Sequence, residues 1–96
     1  MRTIYFVSYD ISDDRRLRLV YRLMRGRGDH VQYSVFRCEL SDRDRAELIA
    51  ALAEIIDHSA DQVLLIDVGP AGGRGSECVE SIGKPFVTIE RRAVII

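Results

Sequence analysis

The chain contains no tryptophan, one lysine among its 14 cationic residues, and only two cysteines. Cys38 and Cys78 are too few for a disulfide framework and lack the spacing of a metal site, so we expect buried thiols. No run of residues reaches the roughly 18 apolar positions of a membrane span, and the amino terminus leads directly into a strand-like segment. These absences predict a soluble, cytoplasmic protein without a signal peptide or a membrane association.

The length of the chain limits its organisation. Ninety-six residues suffice for one domain and leave no room for a second, so we expect 1–96 to be a single domain. Hydrophobic residues make up 47% of the sequence. With the seven glycines included, the apolar share exceeds the roughly 45–50% of an average globular domain, which argues against disorder and indicates that a second chain covers part of the apolar surface.

Positive charge is concentrated in the first half of the sequence, although the net charge is −1. Residues 1–45 carry ten arginines and seven carboxylates, whereas residues 46–96 carry four cationic residues and eight carboxylates. Arginine forms planar bidentate hydrogen bonds to phosphate, so this distribution favours an anionic partner. The alternative is an ordinary solvated helix face.

The first predicted elements are a strand and a helix. Residues 3–10 are rich in β-branched and aromatic side chains and predict a mostly buried strand. One face of this strand carries Ile4, Phe6, Ser8 and Asp10. Ser12 offers a capping hydroxyl for a helix that ends at Gly26 and Gly28. The core-facing stripe of that helix is Leu17, Val20, Tyr21 and Met24, and a second stripe is Arg15, Arg18, Arg22 and Arg25.

Further strands and a second helix follow. Residues 30–40 alternate and then shift phase, which indicates a bulge or two short strands. Ser41 caps a helix with an apolar stripe of Leu48, Ile49, Leu52, Ile55 and Ile56. Residues 62–68 are almost continuously apolar and predict a central strand buried on both faces. Two helices on one face of an antiparallel sheet make an α+β, ferredoxin-like βαββαβ sandwich.

Two segments near the carboxyl end are a glycine-rich stretch and an apolar stretch. Residues 69–76 form a glycine-rich loop without the residue order of a phosphate-binding loop. Residues 93–96 are Ala-Val-Ile-Ile, which would be an aggregation-prone edge if they were exposed. This segment either joins the sheet of its own chain or adds as a strand to the sheet of another chain.

Asp10 is the strongest candidate for chemistry, because it ends a buried strand and precedes a loop and a helix. It is either a turn or capping residue or a metal ligand. One carboxylate cannot enclose Mg²⁺, but a two-fold dimer with both Asp10 side chains near its axis would supply a pair. Ser8 would then orient a water, and Arg15 and Arg16 would hold phosphate for metal-assisted phosphodiester hydrolysis.

Two motifs together resemble a known family. Residues 9–16 (YDISDDRR) and 31–36 (VQYSVF) resemble the small CRISPR-associated protein of the spacer-acquisition machinery, the dimeric partner of the CRISPR integrase. The resemblance covers nearly the whole chain. It implies a ferredoxin-like homodimer in which the carboxyl-terminal strand, here in residues 86–96, extends the sheet of the partner. It also implies Mg²⁺ bound by Asp10 across the dimer axis and endonuclease activity on single-stranded RNA or duplex DNA.

The family contains two classes of function, and the sequence leaves both open. In the first, the homodimer cleaves nucleic acid with Asp10 and Ser8, and Phe36 packs near the site. In the second, a catalytically silent architectural subunit holds duplex DNA between integrase dimers. A ferredoxin-like regulatory domain for a small molecule is a third reading.

The arginines are expected to contact a duplex through its phosphates. The sequence has no aromatic RNA-recognition motif, which disfavours base stacking on the sheet. Contact with the phosphate backbone fits better, and it makes binding dependent on salt. The residues assigned to phosphate are Arg15, Arg16, Arg18 and Arg22.

Overall fold

Four strands and two helices make up the described part of the chain, residues 1–73 and 78–86 of a computed structural model. In chain order these elements are β1 (Thr3–Asp10), α1 (Asp14–Arg25), β2 (Asp29–Gln32), β3 (Val35–Leu40), α2 (Asp42–Ile55) and β4 (Gln62–Pro70). Their succession is the predicted βαββαβ order.

The four strands form one antiparallel sheet in the order β2-β3-β1-β4. Strand β1 therefore lies between β3, where Val7 is opposite Phe36, and β4, where Asp10 is opposite Gln62. Both helices pack on one face of this sheet, because the buried residues of the helices and of alternate strand positions belong to one core. The predicted α+β, ferredoxin-like fold is confirmed.

The core lies between the two helices and this inner face of the sheet. It comprises Tyr5, Val7, Tyr9, Val20, Met24, Phe36, Cys38, Leu40, Leu48 and Leu52. The apolar stripes predicted for the two helices are confirmed at Val20 and Met24 of α1 and at Leu48 and Leu52 of α2, which are buried. Ile49 of the α2 stripe is instead 39% exposed. Cys38 is buried as expected, whereas Cys78 is exposed, and residues 78–86 around it are described without a helix or strand.

Among the described residues strand β4 has one strand neighbour, β1, and only one of its faces is buried, whereas burial on both faces was predicted. Val63 and Leu65 pack against the core, whereas Leu64 and Ile66 are each 48% exposed. An apolar run predicts that both faces of a strand are covered, but it does not identify the element or the chain that covers each face. Here the helices of the chain cover only one of the two faces.

Short-range hydrogen bonds set the ends of the helices. Asp13, not Ser12, caps α1, because its carboxylate accepts a hydrogen bond from the backbone nitrogen of Arg16 at 2.9 Å. Helix α1 ends at Gly26 as predicted. Ser41 caps α2 as predicted, in a capping box with Asp44.

The phase shift predicted within residues 30–40 corresponds to a β-hairpin in the structure. Tyr33 and Ser34 form the turn between β2 and β3, and the pairing shifts register between His30 and Gln32. One of the two predicted alternatives, two short strands, is thereby confirmed.

Some predictions concern residues beyond this part of the chain. The exchanged strand at 86–96 lies outside the described residues except for Phe86, and so do residues 74–76 of the glycine-rich loop. Within the described ranges, neither helix combines the length and apolar character needed to cross a membrane.

Candidate nucleic-acid interface and metal site

Ser8 and Asp10 share the face of the sheet that points away from the helices, which we call the open face. Because side chains alternate along a strand and Val7 and Tyr9 face the core, Ser8 and Asp10 face the opposite way. Asp10 is exposed, and Ser8 is half-buried opposite Leu64 of β4. The structure thus brings both predicted site residues to one surface.

The Asp10 carboxylate has no hydrogen-bond or ion-pair partner among residues 1–73 and 78–86. In the same ranges no group of three or more His, Cys, Asp or Glu residues could hold a metal ion. An exposed carboxylate that pairs with no Arg or Lys side chain of the described residues suits a hard ion such as Mg²⁺, which takes oxygen ligands and retains waters. Asp10 therefore fits as one ligand of a site that needs further donors.

The arginines of α1 lie on a different surface from Asp10. Arg15, Arg18 and Arg22 are exposed on the outer side of α1, whose inner side buries Val20. Helix α1 packs on the inner face of the sheet, whereas Asp10 is on the open face. The candidate metal ligand and the candidate phosphate contacts are therefore on opposite faces of the sheet.

Arg16 differs from these arginines because Asp61 holds its guanidinium group. Nε of Arg16 donates to Oδ2 of Asp61 at 2.8 Å, and Nη2 donates to Oδ1 at 3.3 Å. The Arg16 side chain is 26% exposed, and the Asp61 side chain is fully buried. This ion pair raises the pKa of Arg16 above its ordinary value, with the hydrogen bond to Asp61 as the largest cause.

Asp61 connects the loop after Asp10 to the start of β4. Besides Arg16, it accepts hydrogen bonds from the backbone nitrogen and the hydroxyl of Ser12, at 2.9 and 3.0 Å, and from the backbone nitrogen of Asp57 at 2.8 Å. These bonds, led by that from Arg16, hold the pKa of Asp61 well below its usual range. No local pattern in the sequence indicates the ion pair of Asp61, because its partners Arg16 and Ser12 are 45 and 49 residues away.

A cleft of about 680 Å³ opens beside α1 on the helix side of the sheet. It is lined by the cations Arg18, Arg22 and Arg25 and by the rings of Tyr9, Tyr21, His30 and Tyr33. The sequence pointed to two of these arginines as phosphate contacts. It did not indicate the cleft, because its rings come from β1, α1 and the β2–β3 hairpin.

Phe36 packs behind the rings of the cleft. It is fully buried, and its ring centroid lies 6.3 Å from that of Tyr9, 5.8 Å from Tyr21 and 4.9 Å from His30. Burial raises the pKa of Tyr9 to about 12, so the Tyr9 hydroxyl is protonated at neutral pH. These contacts give Phe36 a packing position beside the cleft.

Comparison with known proteins identifies relatives over most of the chain. The family model described as CRISPR associated protein Cas2 matches residues 1–72. A protein of Rhodospirillum rubrum named CRISPR-associated endoribonuclease Cas2 1 is 46% identical over 92 residues, which cover 96% of this chain and 89% of that protein. A CRISPR-associated endoribonuclease Cas2 of Geobacter sulfurreducens is 44% identical over 96 residues, which cover 100% of both chains.

The fold is also similar to solved structures. The crystal structure of Streptococcus pyogenes Cas2 at pH 6.5 matches with a TM-score of 0.73 and 28% identity, covering 83% of this chain and 99% of that one. The family match spans every element from β1 to β4, so it includes Asp10 and the arginines of α1. The names of the relatives agree with the nuclease family inferred from residues 9–16 and 31–36. This chain belongs to the family of CRISPR-associated protein Cas2.

Proposed function

We propose that this protein acts in CRISPR adaptation as a homodimer that binds duplex nucleic acid and carries a Mg²⁺-dependent endonuclease site at Asp10. The observation that carries this proposal is the position of Asp10. Its carboxylate is exposed at the end of a central strand, has no partner among the described residues, and lies on a face with exposed apolar side chains. The endoribonuclease names of the relatives support phosphodiester hydrolysis as the reaction.

The open face supports the homodimer. Leu64 and Ile66 of β4 are each 48% exposed there, opposite Ser8 and Phe6 of β1. Apolar side chains gathered on one surface favour association, because burial removes them from water. Two-fold packing through this face would bring two Asp10 carboxylates to one axis, and two carboxylates with several waters satisfy Mg²⁺.

The chemistry of the site would be divided between Asp10 and Ser8. Bound Mg²⁺ polarises a phosphoryl oxygen and lowers the pKa of a coordinated water. Asp10 would hold the ion. Ser8 lies two positions away on the same face of β1, and its hydroxyl would orient a water towards the phosphate.

Helix α1 supplies the contacts to the nucleic-acid backbone in this proposal. Arg15, Arg18 and Arg22 are exposed and present positive charge along one side of the helix. Arg16 would contribute least, because Asp61 already holds its guanidinium group. Each phosphate contact makes the negative slope of log affinity against log salt steeper by about 0.9, so binding is expected to weaken strongly as salt rises.

A catalytically silent architectural subunit that bridges dimers of the CRISPR integrase is the alternative. The separation of Arg18 and Arg22 from Asp10 favours this alternative, because a duplex along α1 does not need the open face. Both functions share the homodimer and the duplex. They differ only in whether Asp10 is used.

The substitution Asp10→Asn distinguishes the two functions. We expect it to abolish Mg²⁺-dependent cleavage of single-stranded RNA and duplex DNA while duplex affinity is unchanged. Asp42→Asn, which changes an exposed carboxylate at the start of α2, is the matched control and is expected to cleave normally. Cleavage by Asp10→Asn at the wild-type rate would refute the site, and spacer acquisition at the wild-type rate would favour the architectural function.

The homodimer is tested by placing charge on the open face. Ile66→Lys is expected to shift the protein from dimer to monomer in sedimentation equilibrium, because the ammonium group would have to be buried at the interface. Ile49→Lys is the control, since Ile49 is 39% exposed on α2 instead. A dimer of unchanged affinity in Ile66→Lys would contradict packing through the open face.

The phosphate contacts are tested by salt titration. Arg18→Ala and Arg22→Ala are each expected to make the negative slope of log duplex affinity against log salt shallower by about 0.9. Arg43→Ala is the control, because Arg43 is an exposed arginine on α2. Unchanged slopes in the α1 variants would contradict the assignment of α1 to the duplex.

A further inference from the structure

We propose that the cleft beside α1 binds one unpaired nucleotide of a nucleic-acid strand, with the base against the aromatic lining and the phosphate held by the arginines. This inference rests on the proposed function in one respect, since it takes nucleic acid as the ligand of α1. It adds a base-binding site on the face of the sheet opposite Asp10.

The charge of the cleft selects an anion. Arg18, Arg22 and Arg25 line it, and no carboxylate does so among the described residues. Its volume of about 680 Å³ lies within the usual range of small-molecule sites. Three guanidinium groups on one helix provide planar bidentate donors, which match the geometry of a phosphate.

The rings of the cleft provide a stacking surface. Tyr33 lies at the hairpin turn and is 79% exposed, so packing in the core does not account for its position. The rings of Tyr21 and His30 are nearly perpendicular, at 86°, with centroids 5.6 Å apart. His30 Nε2 lies 3.2 Å from the carbonyl oxygen of Tyr33, which connects the turn to this cluster. Aromatic rings of this kind accept any base, because every base has a π-face.

The cleft places cation and ring next to each other. The guanidinium carbon of Arg25 lies 5.8 Å from the centroid of the Tyr21 ring. A nucleotide combines an aromatic base and an anion at the same short range. A simple anion would use only the arginines, and an apolar ligand would use only the rings.

The strand must be unpaired where it enters the cleft. Bases within a duplex are stacked and paired, so their faces are not available to a protein ring unless the nucleotide is extruded. Arg18 and Arg22 belong both to the proposed duplex contacts and to the cleft lining. A strand that follows α1 and ends in an unpaired nucleotide would therefore deliver that nucleotide to the rings.

Intrinsic tyrosine fluorescence provides a direct assay. The chain has four tyrosines and no tryptophan, and three of the four line the cleft. A short single-stranded oligothymidylate is expected to quench this fluorescence as it binds, and a blunt duplex is expected to bind without comparable quenching. Tyr33→Ala is expected to weaken binding of the single strand by about fivefold or more, while Tyr33→Phe retains it. Duplex affinity is expected to be the same in all three proteins.

A matched pair of arginines provides the control. Arg45 of α2 has its guanidinium carbon 5.9 Å from the centroid of the Tyr5 ring, a contact similar to that of Arg25 with Tyr21. Unlike Arg25, Arg45 does not line the cleft. Arg25→Ala is expected to weaken single-strand binding, and Arg45→Ala is expected to leave it unchanged. Equal losses in the two variants would overturn the inference.

Three further results would overturn the inference without affecting the proposed function. The first is wild-type affinity of Tyr33→Ala for the single strand, the second is an equal loss of affinity in that variant for single strand and duplex, and the third is quenching of tyrosine fluorescence by the blunt duplex as strong as that by the oligothymidylate. The proposed function fails instead if Arg18→Ala and Arg22→Ala leave the duplex salt slope unchanged. The two failures are therefore distinguishable.

Discussion

Gly28 is the position where a single added methyl group is expected to test the packing of the fold. It follows α1 and is buried against β3. A Cβ atom at this position would lie 2.5 Å from the carbonyl oxygen of Arg37 and 2.6 Å from Sγ of Cys38. Both distances are far below van der Waals contact, and the first involves the backbone of a central strand, which cannot move aside as a side chain can.

We therefore expect Gly28→Ala to destabilise the protein through overpacking. Such insertions cost about 1–3 kcal/mol in the free energy of unfolding, and the backbone contact favours the upper part of that range. For a domain of this size the loss corresponds to a fall in melting temperature of roughly 5–20 °C. Thermal melts followed by far-ultraviolet circular dichroism measure it, at equal protein concentration because association shifts apparent stability.

Gly26 is the matched control. It has a right-handed helical conformation, with φ −83° and ψ −7°, and an added Cβ would meet only the carbonyl oxygen of Leu23, at 3.5 Å. Gly26→Ala is expected to melt at or slightly above the wild-type temperature, because alanine restricts the unfolded chain. Coincident melts for Gly28→Ala and Gly26→Ala would refute the argument from close packing.

Three further predictions concern Asp61, Tyr9 and Ser41. Because the pKa of Asp61 is lowered on folding, the stability from its carboxylate is complete above about pH 5 and lost as the pH falls below about 4; urea melts of wild type and Asp61→Asn should converge on acidification, and a pH-independent gap would contradict this. Burial raises the pKa of Tyr9 to about 12, so stability from its protonated hydroxyl is lost as the pH rises from about 10 towards that value; Tyr9→Phe should remove a phenolate transition near pH 12 in an ultraviolet titration, and persistence of that transition would exclude Tyr9 as the source. The hydroxyl of Ser41 accepts a hydrogen bond from the backbone nitrogen of Asp44 at 3.1 Å, so Ser41→Ala should lower the free energy of unfolding by about 1 kcal/mol in urea melts, and an unchanged midpoint would count against the cap.

The elements of the fold could be predicted from the sequence because their signals are local. Alternation along residues 3–10 separates Val7 and Tyr9, which face the core, from Ser8 and Asp10, which do not. The stripes of both helices and the cap at Ser41 likewise depend on neighbours within a few positions. Residues 9–16 and 31–36 also indicated the family. The exchanged strand at 86–96 and the metal at Asp10 stay predictions.

The features that the sequence did not predict depend on residues far apart in the chain. The position of β4 beside β1 follows from the order of the described strands, and the apolar character of Leu64 and Ile66 carries no information about which chain covers them. Arg16 looks like its neighbours in the sequence, and only the fold brings Asp61 to it across 45 positions.

The sequence by itself therefore determined the elements, the inward and outward faces of β1 and the position of Asp10, because the periods of strands and helices are short-range properties. Tertiary structure alone decided which arginines are exposed, where β4 lies, and that Tyr9, Tyr21, His30 and Tyr33 line one cleft with three guanidinium groups. Those arrangements depend on which residues come together when the helices pack on the sheet. These residues are far apart in the sequence and do not follow a regular interval.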